Sequence, residues 1–201
     1  MSDLTALQRI SGRLERGEID SAQFLESFTR FMAAHIGCSR AGVWIFVDTP
    51  GGRALRCAAM YDAQADRMVR ADDLLNANVG PYFETLERDG CINAPEARTH
   101  PATQGFLSSY LLPLDVHSLL EVCFSVNGVL FGTFSCEQVG APTVWTQRQL
   151  QSLRQIGSRA SLSLMHSVST NVDTAPGALW EPSNPNRLAT MPMPLVPKFT
   201  D

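Results

Sequence analysis

Lysine is nearly missing from this chain: of 16 basic residues only Lys198 is not arginine. The basic residues are outnumbered by 20 Asp and Glu, for a net charge of −4. Nucleic-acid phosphates require clustered cations before anything else, so nucleic acid is excluded as the expected partner. No apolar run reaches the ~18 residues of a membrane helix, and the segment from Met1 to Leu14 lacks the apolar stretch of a signal peptide. The expectation is a soluble, cytoplasmic protein with no membrane partner. The cysteines, at 38, 57, 91, 123 and 136, are odd in number and form no CxxC pair, and His35, His100, His117 and His166 stand far apart. That spacing excludes the common zinc signatures. Cys57, Cys123 and Cys136 lie among apolar neighbours in strand-like runs, where a free thiol behaves as a small hydrophobe.

What is present suits one domain with an appendage: 201 residues, 44% apolar and only 18% charged. Leu4, Leu7 and Leu14 recur at helical spacing before Gly17. A second helix is predicted from Asp20 or Ser21 to Gly37, with Phe24, Phe28, Phe31, Met32 and His35 on one face. Ala41–Val47 and Leu55–Tyr61 read as strands around the turn Pro50-Gly51-Gly52, and Arg67–Arg70 as a short third strand. Asn78–Gly90 reads as a short helix with Pro81 near its start and Gly90 at its end. Cys91–Asn93 is a brief apolar stretch, and residues 94–113 are irregular.

The clearest element is the hairpin Ser118–Glu137 around Asn127-Gly128, the preferred two-residue turn. Regular pairing sets Phe124 against Phe131 and Val122 against Thr133, with Cys123 and Cys136 on one face but too far apart for a disulfide. Both faces are mostly apolar, which predicts a central pair covered on both sides. Thr146-x-x-Gln149 is a capping box for a last helix running to about His166, with apolar positions including Leu150, Leu153, Ile156, Leu162 and Leu164. Six of the 12 prolines follow in the last 31 residues. Composition divides the chain into an N-terminal helix (1–17), a domain (18–169) and a Pro-rich flexible tail (170–201). Within the tail, residues 191–197 (MPMPLVP) favour extended polyproline II.

This order predicts an α+β fold: a central antiparallel sheet of GAF/PAS type, with helices on both faces and long terminal helices. The residues narrow it. "SRAGVWIFVD", "PYFETLERDGCINAPEARTHPATQGFLSSYLLP" and "SLLEVCFSVNGVLFGTFSCEQVGAPTVWTQRQLQSL" resemble the first strand, the helix and pocket loop, and the second hairpin and closing helix of a bacterial GAF domain. Gly128, Gly132, Glu137, Gly140 and Trp145 match the family pattern; the family often shows Pro where Cys123 stands and His where Gln138 stands. The resemblance implies a small-molecule sensor. The Asn-Lys-x-Phe-Asp-Glu motif of its cyclic-nucleotide binders is missing, and His100 has no adjacent Cys of the kind that attaches a bilin. Cys91 lies where a free-methionine sulfoxide reductase places reactive thiols, but its surroundings do not match, and no positive neighbour for it is visible in the sequence.

Tyr82, Phe83, His100, Phe106, Tyr110 and Cys123 are the candidate ligand-binding residues. Aromatic walls with a few polar tips suit a small planar or apolar ligand. The competing reading is that Phe83, Phe106 and Leu111 fill that space themselves. Arg98 and His117 are weaker candidates for holding an anion. No catalytic or metal-ligating set can be assembled, and no cofactor is named. The expected protein is a non-enzymatic sensor, homodimeric through its apolar helix edge, that signals to a separate protein partner. A ligand-free scaffold and a thiol-based redox protein are the alternatives.

Overall fold

A computed structural model describes residues 4–50, 52–126 and 129–169. The Asn127-Gly128 turn and the Pro-rich segment 170–201 lie outside the described residues. Helix α1 (Leu4–Glu15) precedes α2 (Ser21–Ile36). Asp20 caps α2 reciprocally: its carboxylate accepts from the Gln23 N–H at 2.8 Å, and the Gln23 side chain accepts from the Asp20 N–H at 3.0 Å. Gly37, at φ 76°, ends the helix in the left-handed region that glycine tolerates best. Asp20→Ala is expected to cost about 1 kcal/mol, read as a lower midpoint in thermal denaturation.

Strands β1 (Arg40–Thr49), β2 (Gly52–Asp62) and β3 (Arg67–Val69) are followed by the two-residue β4 (Leu74–Leu75). Helix α3 (Asn76–Asp89) leaves helical geometry at Val79 and continues from Pro81, and Gly90 closes it at φ 66°. The remaining strands are β5 (Cys91–Ala94), β6 (Val116–Val126) and β7 (Val129–Val139). The irregular segment holds a 3-10 helix (Pro101–Phe106) and a π turn (Leu107–Leu111). All pairings are antiparallel, in the order β3-β2-β1-β7-β6-β5 with β4 on β2. Helix α4 (Gln147–Ser169) starts at the predicted capping box, where Gln149 N–H donates to Thr146 Oγ1 at 3.2 Å.

Alternation along the strands separates two cores. Val43, Ile45, Leu120, Val122, Phe134 and Cys136 face α2 and α4, with α1 packed on both helices and its Leu7 buried. Trp44, Leu55, Met60, Ile92 and Leu119 face α3 and the segment 94–111. The predicted hairpin register needs correction. A bulge lies between Phe124 and Ser125, so Phe124 pairs with Gly132 and Val122 with Phe134. An extra residue on one strand flips all that follows. Cys136 therefore faces the helices and Cys123 the opposite side. Leu162, expected among the apolar positions of the last helix, is 69% exposed.

Candidate functional site

The sheet face under α3 and the segment 94–114 carries a line of buried polar side chains: Glu121, Thr133, Ser135 and Glu137. Each acid is held by a tyrosine from the opposite wall. Tyr82 Oη, on α3, donates to the Glu121 carboxylate at 2.7 Å, and Thr133 Oγ1 adds a second bond at 2.5 Å. Tyr110 Oη, on the π turn, donates to Glu137 Oε1 at 2.6 Å. Glu137 Oε2 is buried without a hydrogen-bond partner, 3.9 Å from Arg40 Nη1. The Arg40 Nε is itself engaged by Asp62 at 2.9 Å. Burial pushes the Glu121 carboxyl up to about 7 and that of Glu137 up to about 6. Burial and the adjacent carboxylates also raise both tyrosines well above their ordinary value.

Tyr82, Phe83, Phe106 and Tyr110 form one edge-to-face cluster, with Tyr82–Phe106 centroids 5.2 Å apart and Phe106–Tyr110 6.1 Å apart. A cavity of about 330 Å³ opens beside it, between residues 70–74 and 105–114. Phe106 and Tyr110 wall this cavity, with Ser109, Asp72 and Arg70 among its polar lining. Tyr82 and Phe83 stand in the packed layer behind it, both 2% exposed. His100 is elsewhere: it caps the 3-10 helix, where its Nδ1 accepts from the Ala102 N–H at 3.2 Å. Cys123 lines a different groove, between β6 and α4, and burial pushes its thiol up to about 12. The structure thus brings together four of the six sequence-predicted residues.

Arg98 and His117 both turn to Asp115, at 2.6 and 3.1 Å. Cys91 requires a correction. Its sulfur accepts a hydrogen bond from Arg154 Nη2 at 3.1 Å, so it has the positive neighbour that the sequence hid. The two sit 63 positions apart and meet because α4 packs on β6, the strand with which Cys91 pairs. Among the described residues no group of His, Cys, Asp and Glu is placed to hold a metal ion. No described helix is long and apolar enough to cross a membrane.

Sequence reasoning passed over Glu121. Its signal was a lone acid inside the apolar run Leu119–Phe124, on a strand expected to be covered on both sides. A charge at such a position must be paired or neutralised.

An antiparallel sheet with helices on one face, and an aromatic cavity under a helix and irregular loop on the other, defines an α+β domain of the PAS and GAF architecture. The family model of the GAF domain matches residues 20–164, and the chain belongs to that family. A phycocyanobilin-bound GAF domain from a cyanobacterial phytochrome is similar at 15% identity and a TM-score of 0.65, covering 86% of this chain and 98% of that one. The GAF domain of an Acinetobacter phosphoenolpyruvate-protein phosphotransferase matches at 14% and 0.60, covering 85% and 99%. The blue-light absorbing form of the Thermosynechococcus elongatus PixJ GAF domain matches at 18% and 0.59, covering 77% and 91%. At these identities the likeness concerns the fold. A search of curated proteins gives no match.

Proposed function

We propose that this protein is a non-enzymatic sensory or regulatory module that takes a small molecule in the cavity beside Phe106 and Tyr110. The observation that carries the reading is the direct bond from a cavity-wall residue to the central sheet, Tyr110 Oη to Glu137 at 2.6 Å. A ligand that displaces Tyr110 disturbs β7 from one side. On the other side of β7, Phe134 is pressed against α4 so closely that a Cβ at Gly157 would stand 2.8 Å from its ring. Occupancy then biases how α4 sits, and a homodimer partner or a separate signalling protein reads that position. The volume favours a ligand smaller than the bilins of the phytochrome relative: 330 Å³ is near the lower end for ligand sites. None of the residues lining the cavity is a cysteine, so covalent attachment there has no anchor.

The packed aromatic cluster favours a second reading, a scaffold whose site is filled by its own side chains. Native mass spectrometry beside a denatured run separates the two. A non-covalent extra mass, lost on denaturation and lost in Phe106→Trp, is the expected result. A bare wild-type chain overturns the ligand reading and leaves the scaffold.

A further inference from the structure

The 23 residues of α4 include arginines at 148, 154 and 159 and no acid, in a chain whose net charge is −4. The outer face of the helix is laid out as a seam with two flanks. Gln151, Gln155, Ser158 and Leu162 are exposed at steps of four, three and four, the spacing of a coiled-coil seam. Arg154 lies on one side of that seam, and Arg148 and Arg159 lie on the other, all three exposed. Among the described residues Arg148 and Arg159 have no acidic partner. Arg154 touches the Cys91 sulfur and no carboxylate. Asp89, across the groove from it, is already paired with Arg88 at 2.6 Å. At the end of the seam Leu162 is 69% exposed and opens onto that groove, of about 460 Å³, beside Cys123 and Phe124.

We infer that this face of α4 docks an amphipathic helix of a separate protein, with Asp or Glu on both flanks and an apolar residue directed at Leu162 and the groove. Charge complementarity carries the argument. Two copies of α4 meeting in parallel along this seam would set Arg154 of one against Arg159 of the other, five positions on, which is where flanking charges pair across a coiled coil. An antiparallel meeting would set each flank against its own copy, so that arginine again faces arginine. Like charges so placed repel, and they select against a second copy as the occupant. An acidic helix turns each of those clashes into an ion pair.

The two parts of the face do different work. Exposed ion pairs are each worth little, but a single-signed flank draws an acidic partner in and weakens with salt. Burial of Leu162 adds a contribution that salt does not screen. The docking face does not depend on what occupies the cavity beside Tyr110, and its test needs no ligand. A bare chain in the mass measurement therefore leaves it untouched.

Fluorescence anisotropy of a labelled synthetic helix tests the docking on the full chain. The probe has three heptads, leucine along its seam and glutamate on both flanks; a twin carries lysine in place of glutamate. The glutamate helix is expected to bind, more weakly as salt rises, and the lysine helix is not. Arg154→Glu/Arg159→Glu is expected to weaken the glutamate helix at least about tenfold and to gain binding of the lysine helix, an exchange that misfolding cannot produce. Leu162→Ser is expected to weaken the glutamate helix while leaving its salt dependence unchanged. Equal binding of the two helices, or binding of neither, overturns the proposal. So does a wild-type dimer that Leu162→Ser dissociates, which would assign the face to a second copy. Phosphatidylserine vesicles that bind the wild type and not the double variant would assign it to an anionic membrane surface and likewise overturn it.

Discussion

Glu121→Gln is expected to make the protein more stable at pH 8 and to leave it almost unchanged at pH 4.5. In the fold, burial holds the Glu121 carboxyl at about 7 against an ordinary value of 4.5. The folded state thus keeps a proton that the unfolded chain releases between those values, and stability falls as pH rises through that window. The full penalty is present above pH 7, and the gap corresponds to roughly 3 kcal/mol. Glutamine removes the ionisation while keeping an oxygen to accept from Tyr82 and Thr133, and its amide can donate to one of their hydroxyl oxygens. Thermal denaturation across pH 4.5–8 reads the effect. A gain of roughly 6–12 °C at pH 8 follows for a domain of this size. Glu137, raised to about 6, adds a smaller slope of the same sign between pH 4.5 and 6 that survives in the variant. Asp62 acts oppositely: burial alone would raise it, but the Ala65 N–H, Arg40 and the Gln64 N–H outweigh that and lower it. Its contribution is lost as pH falls below its ordinary value of 3.8, so for these three groups together the most favourable range lies between that value and 4.5. Parallel curves for wild type and Glu121→Gln would show that Glu121 ionises normally in the fold, contrary to this account.

Gly132→Ala is expected to cost at least about 3 kcal/mol although it adds a single methyl. Its Cβ would stand 2.1 Å from the Trp44 carbonyl oxygen and 2.8 Å from the Phe124 ring. The oxygen belongs to backbone in the middle of the sheet and cannot swing aside, and Phe124 is stacked on Phe134 with centroids 4.5 Å apart. Relief requires parting β1 from β7 where Ile45 meets Gly132. Gly80→Ala is the control, since a Cβ there meets nothing within 4 Å. Urea denaturation of the two variants reads the contrast. A Gly132→Ala chain within about 1 kcal/mol of wild type would mean that the strands yield more readily than their pairing implies.

The sequence by itself determined the four main helices and the longer strands and, through them, the family, but not β4 or the short helical turns within 101–111. Helix ends were legible because their signals are local: Asp20 with Gln23, Thr146 with Gln149, and Gly37 and Gly90 each act within one turn of where they stand. The strands were legible because burial on both faces leaves an apolar run that no loop carries. The aromatic layer was legible for the same reason, since Tyr82, Phe83, Phe106 and Tyr110 are bulky residues flanking a sheet.

Only the tertiary structure decided which of those side chains are walls and which are filling. Tyr110 and Phe106 border the cavity and Tyr82 does not, because the cavity lies between residues 70–74 and 105–114. One extra residue near Phe124 sent Cys123 and Cys136 to opposite faces, and no local signal marks a bulge. Glu121 was visible only as an acid among apolar neighbours; that Tyr82 reaches it depends on a helix 39 residues away in sequence. Arg154 beside Cys91 is the same kind of fact. Pairings across the sheet are set by how the layers stack, and stacking is a property of the whole core, which no short window of sequence contains.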